Sequence, residues 1–474
     1  MHFLKGRKSL RRDFIAEAVE PTFDLGRRNL LAASCACCAL AVVKPVRALA
    51  AADALSSTPT RAIHGQLDAA ARAIEAKMIA WRRDIHANPE LGNQELRTAN
   101  LAAQHLRSLG YEVREKVAQT GLVAVLRGNG GPGPVVALRA DMDALPVAEE
   151  VDVPFASKAR AQWAGEEVSV MHACGHDCHV AILMAAAEVL AGMRGELRGT
   201  LKLLFQPAEE KLPKGEIGGA RLMLEQGAFG DPKPDVVFGL HVISWLPTGT
   251  IGYRPGATTA SSDAFRIQVQ GRQSHGATPW LSVDPIVIGS TIVSSLQTII
   301  SRETEITTKP AVLTVAIFKG GTRYNIIPDR AELEGTLRTF NEEQRQTIMR
   351  RVKDIAESTA RGMNGTAEVI WQPDGYPPVV NDDNLTKRMA STLIRVAGDR
   401  ALVMERSSVG EDFSYFAQQV PGLFYFVGIT PPDVDLAKAP GNHSPRFEVD
   451  EAGLILGLRA TLHLVADYTS SGAG

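Results

Sequence analysis

Apolar residues recur at helical spacing over 66–83, at Leu67, Ala71, Ile74, Met78 and Trp81. The segment Asn88-Pro89-Glu90-Leu91-Gly92 interrupts that rhythm, and a second helix is predicted over 95–109, closed by Gly110. Short apolar runs then predict strands at 121–127, 135–139, 200–206 and 235–240, interleaved with helices at 179–193 and 218–226. Such alternation predicts an α/β layer around a mainly parallel sheet. Near residue 257 the rhythm changes. Residues 263–270 alternate apolar and polar, as a half-exposed antiparallel strand does. A helix at 284–301, strands at 311–318 and 331–338, a helix at 342–361 and a strand at 366–371 complete the β-α-β-β-α-β order of a ferredoxin-like unit. After Pro373 the α/β pattern resumes, with a helix at 383–397, a strand at 423–427 and a helix at 450–467. The expected organisation is an α/β domain over 51–257 and 371–474 carrying an inserted α+β domain over 258–370.

Size agrees with two domains, since 474 residues exceed what one core of roughly 250–300 residues holds. Hydrophobic residues make up 45% and charged residues 22%, an ordinary globular balance. A net charge of −2 favours neither nucleic acid nor an anionic membrane surface as partner. The N-terminus is a separate object. Arg27-Arg28 leads into an apolar run from Leu30 to Val43, and Ala48-Leu49-Ala50 offers a small-x-small cleavage pattern. The run falls short of the about 20 residues of a membrane-spanning helix. Residues 1–50 are therefore expected to be a twin-arginine export signal, which would deliver a mature, membrane-free protein to the periplasm. The alternatives are a retained amphipathic helix or a mis-assigned start, and an unused signal would leave the protein cytoplasmic. Cys35, Cys37 and Cys38 lie in this segment, so the mature chain keeps Cys174 and Cys178. Their spacing is open to a disulfide, but the flanking histidines and Gly175 favour metal chemistry.

That chemistry centres on Met171-His172-Ala173-Cys174-Gly175-His176-Asp177. Cys174 and His176 flank a glycine turn before a predicted helix and can reach one ion. Glu209-Glu210 follows the 200–206 strand, and in extended backbone neighbouring carboxylates point apart, so one can bind metal while the other faces water. His241 is expected to end the 235–240 strand, and His443 lies in the loop Gly441-Asn442-His443-Ser444-Pro445. Thiolate, imidazole and carboxylate together suit a divalent ion with a base to spare.

Taken in order, Arg139-Ala140-Asp141-Met142-Asp143-Ala144-Leu145-Pro146, then M-H-A-C-G-H-D-C-H, F-Q-P-A-E-E, G-L-H-V and N-H-S-P resemble the M20 metallopeptidases. More narrowly they resemble the amidohydrolase branch, which includes hippurate hydrolases and auxin-conjugate hydrolases. The similarity runs from about Trp81 to about residue 465. It implies a zinc-peptidase-like catalytic domain holding two divalent metal ions (zinc, manganese, cobalt or nickel) on Cys174, His176, Glu210, His241 and His443. Cys174 would take the bridging position that an Asp holds in other branches, and Glu209 would be the base that activates a metal-bridging water. Asp143 stands where the Asp of the family's His-x-Asp motif does, behind the ligands, and Asp141 stands where its His would be. The inserted domain becomes a lid and dimerisation domain of a homodimer. His275 resembles the lid histidine that serves a neighbouring subunit's site, while Asn325 and Arg338 resemble groups that hold a substrate carboxylate. Gly410-Glu411-Asp412-Phe413 matches a loop near the site. The implied activity is hydrolysis of the amide bond in N-acyl amino acids. A dipeptidase or carboxypeptidase on the same fold is the nearer alternative; a solute-binding protein and a structural zinc module are the more distant ones.

Overall fold

The computed structural model describes residues 58–470. The expected export signal and its three cysteines lie outside them. An eight-stranded mixed sheet runs in the order Glu112–Val117, Gly121–Arg127, Thr200–Gln206, Val135–Asp141, Val236–Pro247, Gly422–Thr430, Ile251–Tyr253, Ala401–Val403. Its centre is parallel, from Thr200–Gln206 through Val135–Asp141 and Val236–Pro247 to Gly422–Thr430. These strands are buried on both faces, which is why they read as nearly continuous apolar runs. One face packs on helices Thr58–Ala87, His176–Gly192, Asp383–Ala397 and Leu454–Ser470. Leu138, Leu203, Phe238, Tyr425 and Val427 point to that side. Ala137, Leu204, Val237, Ile243, Phe424 and Phe426 point to the other, against the short helices Gly219–Glu225 and Phe413–Ala417. No helix among the described residues is long and apolar enough to cross a membrane.

A second, fully antiparallel sheet is ordered Ala311–Gly320, Arg330–Thr339, Asp263–Gln270, Thr366–Trp371. Helices Pro285–Thr298 and Glu342–Gly362 cover one face, and Phe265, Ile267, Ile292, Leu296, Leu333 and Val352 form a core of their own. Both helices start on side-chain caps: Asp284 accepts from the N–H groups of Ile286 and Val287, and Asn341 from that of Gln344. The strand order is that of a ferredoxin-like unit, set beside a larger α/β unit.

Three details differ from expectation. The helix after the Cys-Gly-His turn begins at His176 rather than 179, because Gly175 supplies its start. The strand containing His241 does not end there but continues to Pro247, since Gly422–Thr430 pairs with it along nearly its whole length. Glu112–Val117 adds an antiparallel edge that its polar sequence hid.

Candidate active site

Gly175 has φ +93° and caps the helix His176–Gly192; a Cβ there would lie 2.3 Å from Cγ2 of Val242. Glycine alone permits this turn, and the turn sets Cys174 and His176 side by side. The His176 Nδ1–H donates to the main-chain oxygen of Asp143 at 2.8 Å. Its Nε2 is left buried with no hydrogen-bond partner. His241 is built the same way: Nδ1–H donates to the Val242 carbonyl at 2.7 Å, and Nε2 lies 3.4 Å from the Cys174 sulfur. In both rings one nitrogen is fixed as donor so that the other offers its lone pair, the usual preparation of a metal-binding imidazole. His241 lies just beyond the last pair, Arg139↔Gly239, that its strand makes with Val135–Asp141. The site thus sits where parallel strands end, as ligand sites in open α/β sheets do.

The loop carrying His443 is tied to the same place. His443, at φ +72°, donates its N–H to the Ala173 carbonyl at 2.7 Å. Asn442 donates to the carbonyls of Cys174 at 2.9 Å and Val242 at 3.1 Å, and accepts from Ser244 N–H at 3.2 Å. His443 Nε2 reaches Cys174 Sγ at 3.2 Å and Glu210 Oε1 at 2.9 Å. These hydrogen bonds lift the His443 pKa to about 10. Glu209 and Glu210 are held from behind by one carboxylate: Asp143 accepts both their N–H groups, at 3.0 and 2.9 Å.

Ligand atoms of Cys174, His176 and His241 lie within 4.8 Å of one another, as do those of Cys174, Glu210 and His443. Two three-residue sets that share the Cys174 sulfur would hold a pair of divalent ions. The His176 Nε2, buried and without a hydrogen-bond partner, supports the same fit. All five expected ligands are therefore brought together, and Asp143 stands behind them.

Glu209 is 6% exposed and lines the adjoining cavity of about 290 Å³ with Cys174, Glu210, His241 and His443. Burial pushes its pKa well above the usual carboxylate range, and Glu411, Glu210 and Asp412 push further in the same direction. The Tyr376 hydroxyl donates to the Glu209 carbonyl. Behind the base, the buried guanidinium of Arg139 pairs with Asp141 at 2.7 Å, Glu411 at 2.9 Å and Asp412 at 3.1 Å. Gln206 donates to Asp412 at 2.7 Å. Asp141 is thus held by Arg139, and by His179 Nδ1 at 2.5 Å, while His179 Nε2 accepts the Val242 N–H at 2.9 Å. His179 is fully buried and props the strand that carries His241.

The remaining predicted residues lie elsewhere. His275 is exposed on the short ladder Ser274–His275 with Ile326–Ile327, its Nδ1 accepting from Ala277 N–H at 3.0 Å. Asn325 precedes that ladder, and its carbonyl accepts the Gly276 N–H. Arg338 donates to the Ser261 carbonyl at 3.2 Å, next to the cavity-lining Ser262. None of the three lines the cavity within this chain. His172 is fully buried with neither ring nitrogen partnered, and burial drops its pKa to about 3. Sequence reasoning missed the buried set in which Asp177 accepts from Arg82 and His86 at 2.8 Å and His86 meets Glu149 at 3.0 Å. Its signal was the segment Arg82-Arg83-Asp84-Ile85-His86, charged yet inside a helical apolar rhythm.

Known proteins place this geometry. A family model described as peptidase family M20/M25/M40 matches residues 137–467. Thermostable carboxypeptidase 2 of Saccharolobus solfataricus is 40% identical over 402 residues, covering 84% of this chain and 97% of that one. N-acetylcysteine deacetylase of Bacillus subtilis is 37% identical, covering 81% and 94%. IAA-amino acid hydrolase ILR1-like 2 of Arabidopsis thaliana is 38% identical, covering 82% and 85%. The crystal structure of the Bacillus subtilis YXEP protein, a dinuclear metal binding peptidase, superposes with a TM-score of 0.69 at 34% identity, covering 84% of this chain and 99% of that one. With its ligand set converging beside a buried carboxylate, the chain belongs to peptidase family M20/M25/M40, in the amidohydrolase branch, and is a divalent-metal hydrolase of amide bonds.

Proposed function

We propose that the protein hydrolyses N-acyl amino acids, with Glu209 moving the proton. The observation that carries this reading is the convergence of Cys174, His176, His241, Glu210 and His443 beside a buried carboxylate of raised pKa. The names of the deacetylase and the IAA-amino acid hydrolase support the substrate class. Divalent ions on those five residues would supply an acidified water and polarise the scissile carbonyl. Glu209 accepts the proton of the attacking water and returns it to the leaving amine nitrogen. Its raised pKa suits both halves, since a carboxyl that titrates nearer neutrality is a better base and a usable acid. Asp143 keeps Glu209 and Glu210 in register through their N–H groups. The reading also gives His275 to the cavity of a second copy, in a homodimer formed through the inserted domain, and gives Asn325 and Arg338 the substrate's carboxylate to hold. Exposed His275, with Trp280, Val312 and Phe318 exposed in the same domain, supports that assignment.

A dipeptidase or carboxypeptidase is the second reading, favoured by the carboxypeptidase relative. A panel of N-acyl amino acids and dipeptides, run after loading with zinc, manganese, cobalt or nickel in turn, separates the two. N-acyl amino acids are expected to dominate. Glu209→Gln is expected to lose roughly 10³-fold or more in kcat with the metal content unchanged; normal turnover in that variant would sink the mechanism. Light scattering tests the dimer, and full activity from a monomer would remove His275 from the site.

A further inference from the structure

The cavity beside the ligand cluster has one wall with no part in holding metal or moving protons. Along strand Val236–Pro247, Ile243 and Trp245 continue the alternation that begins at His241. Phe424 and Phe426 join them from the neighbouring strand, where Phe426 pairs directly with His241, and Val409 adds a further apolar side chain. Trp245 lies 6.4 Å from the ring of Phe426 and is 39% exposed, so it is the most accessible aromatic side chain of this wall. The carboxyl groups of the lining are Glu209, Glu210 and Glu411. Among the lining residues the one Lys or Arg is Lys211, already paired with Asp374 at 3.2 Å. An acyl group therefore meets no unpaired Lys or Arg in this lining, and an apolar one finds a prepared surface. The volume, about 290 Å³, is at the small end of ligand cavities, which run from about 300 Å³ upward. It suits one ring or a short chain.

Resting on the reading above, we infer that this wall receives the acyl group, that the enzyme selects uncharged aromatic or extended apolar acyl groups over acetyl, and that Trp245 sets the preference. An acetyl group has one methyl to bury, whereas benzoyl or hexanoyl covers more of the wall. In a fitted apolar pocket each added methylene changes selectivity by roughly tenfold or more.

The experiment uses the full-length, metal-loaded protein and four derivatives of one amino acid: acetyl, hexanoyl, benzoyl and phenylacetyl. In the wild type, kcat/KM for benzoyl or hexanoyl is expected to exceed that for acetyl by about tenfold or more. Trp245→Ala should shrink that ratio by about tenfold, mostly through KM, and Trp245→Phe should restore most of it. Calorimetric binding of the same compounds to Glu209→Gln protein should give the same order without turnover. Acetyl equal to or better than benzoyl in the wild type, or a ratio unmoved in Trp245→Ala, overturns the inference and leaves amide hydrolysis standing. Turnover confined to dipeptides overturns the N-acyl reading itself, and the inference with it.

Discussion

Asp143 carries more of the site than its distance from the reacting atoms implies. Its carboxylate accepts two successive N–H groups, those of Glu209 and Glu210, and its carbonyl orients His176. Base and ligands therefore move together if Asp143 moves. Asp143→Asn keeps the shape but replaces one accepting oxygen by a donor, which opposes one of the two N–H groups. Supporting residues of this kind are worth about 10–100-fold in metal affinity or activity. Asp143→Asn is expected to lose that much, by metal titration and by kcat, with little change in melting temperature. The two cysteines should part in the same way. Cys174 Sγ touches two imidazoles, so Cys174→Ser should lose activity and metal together. Cys178 is fully buried, 3.7 Å from Asp177 and away from the ligand cluster, so Cys178→Ser should keep turnover. A thiolate is also open to oxidation where a carboxylate is not.

At the scale of elements, the turn at Gly175 is the narrowest point of the design. A side chain there meets both a left-handed backbone and the Val242 methyl at 2.3 Å. Gly175→Ala is expected to destabilise by about 1–3 kcal/mol and to weaken metal binding, since Cys174 and His176 flank the strained residue. Thermal melting and metal titration on one preparation check both. The inserted domain was legible because its signals are local: alternation over Asp263–Gln270, buried at every second position, and caps at Asp284 and Asn341. The central strands were legible as apolar runs, but their ends were not. His241 looked like a terminus because it is polar, yet its polarity belongs to the site and the strand runs on. The short strands Ile251–Tyr253 and Ala401–Val403 depend on pairing with each other and with Gly422–Thr430, which no local pattern announces. The ligands were legible as residue types beside glycine or strand ends. The Arg139 hub was not, because its partners Glu411 and Asp412 arrive from far along the chain.

Across the whole molecule, the first and last described helices are pinned to each other by a small charged cluster. His64 and His463 stack at 4.7 Å; His463 meets Asp68 at 3.1 Å and Arg459 pairs with Asp68 at 2.6 Å, while His64 meets Asp467 at 3.0 Å. Burial, with His64 alongside, drops the His463 pKa to about 4. An unfolded histidine titrates near about 6.5, so below that pH the unfolded chain binds the extra proton first. Stability from this group is therefore complete above pH about 6.5 and is lost as pH falls toward 4, by up to about 3 kcal/mol. Melting temperature should drop through that window, and His463→Gln should flatten the drop; an equal slope in the variant would remove His463 as its source. A different consequence follows from where Gly422–Thr430 sits. The last long strand in the sequence occupies the interior of the main sheet, between Val236–Pro247 and Ile251–Tyr253, and His443 follows it. While the chain is still being synthesised, its sheet has an open slot at the middle and its ligand set is one member short. Any release before that strand emerges leaves two bare strand edges facing each other across a gap, so premature termination should yield aggregates rather than a weakened enzyme.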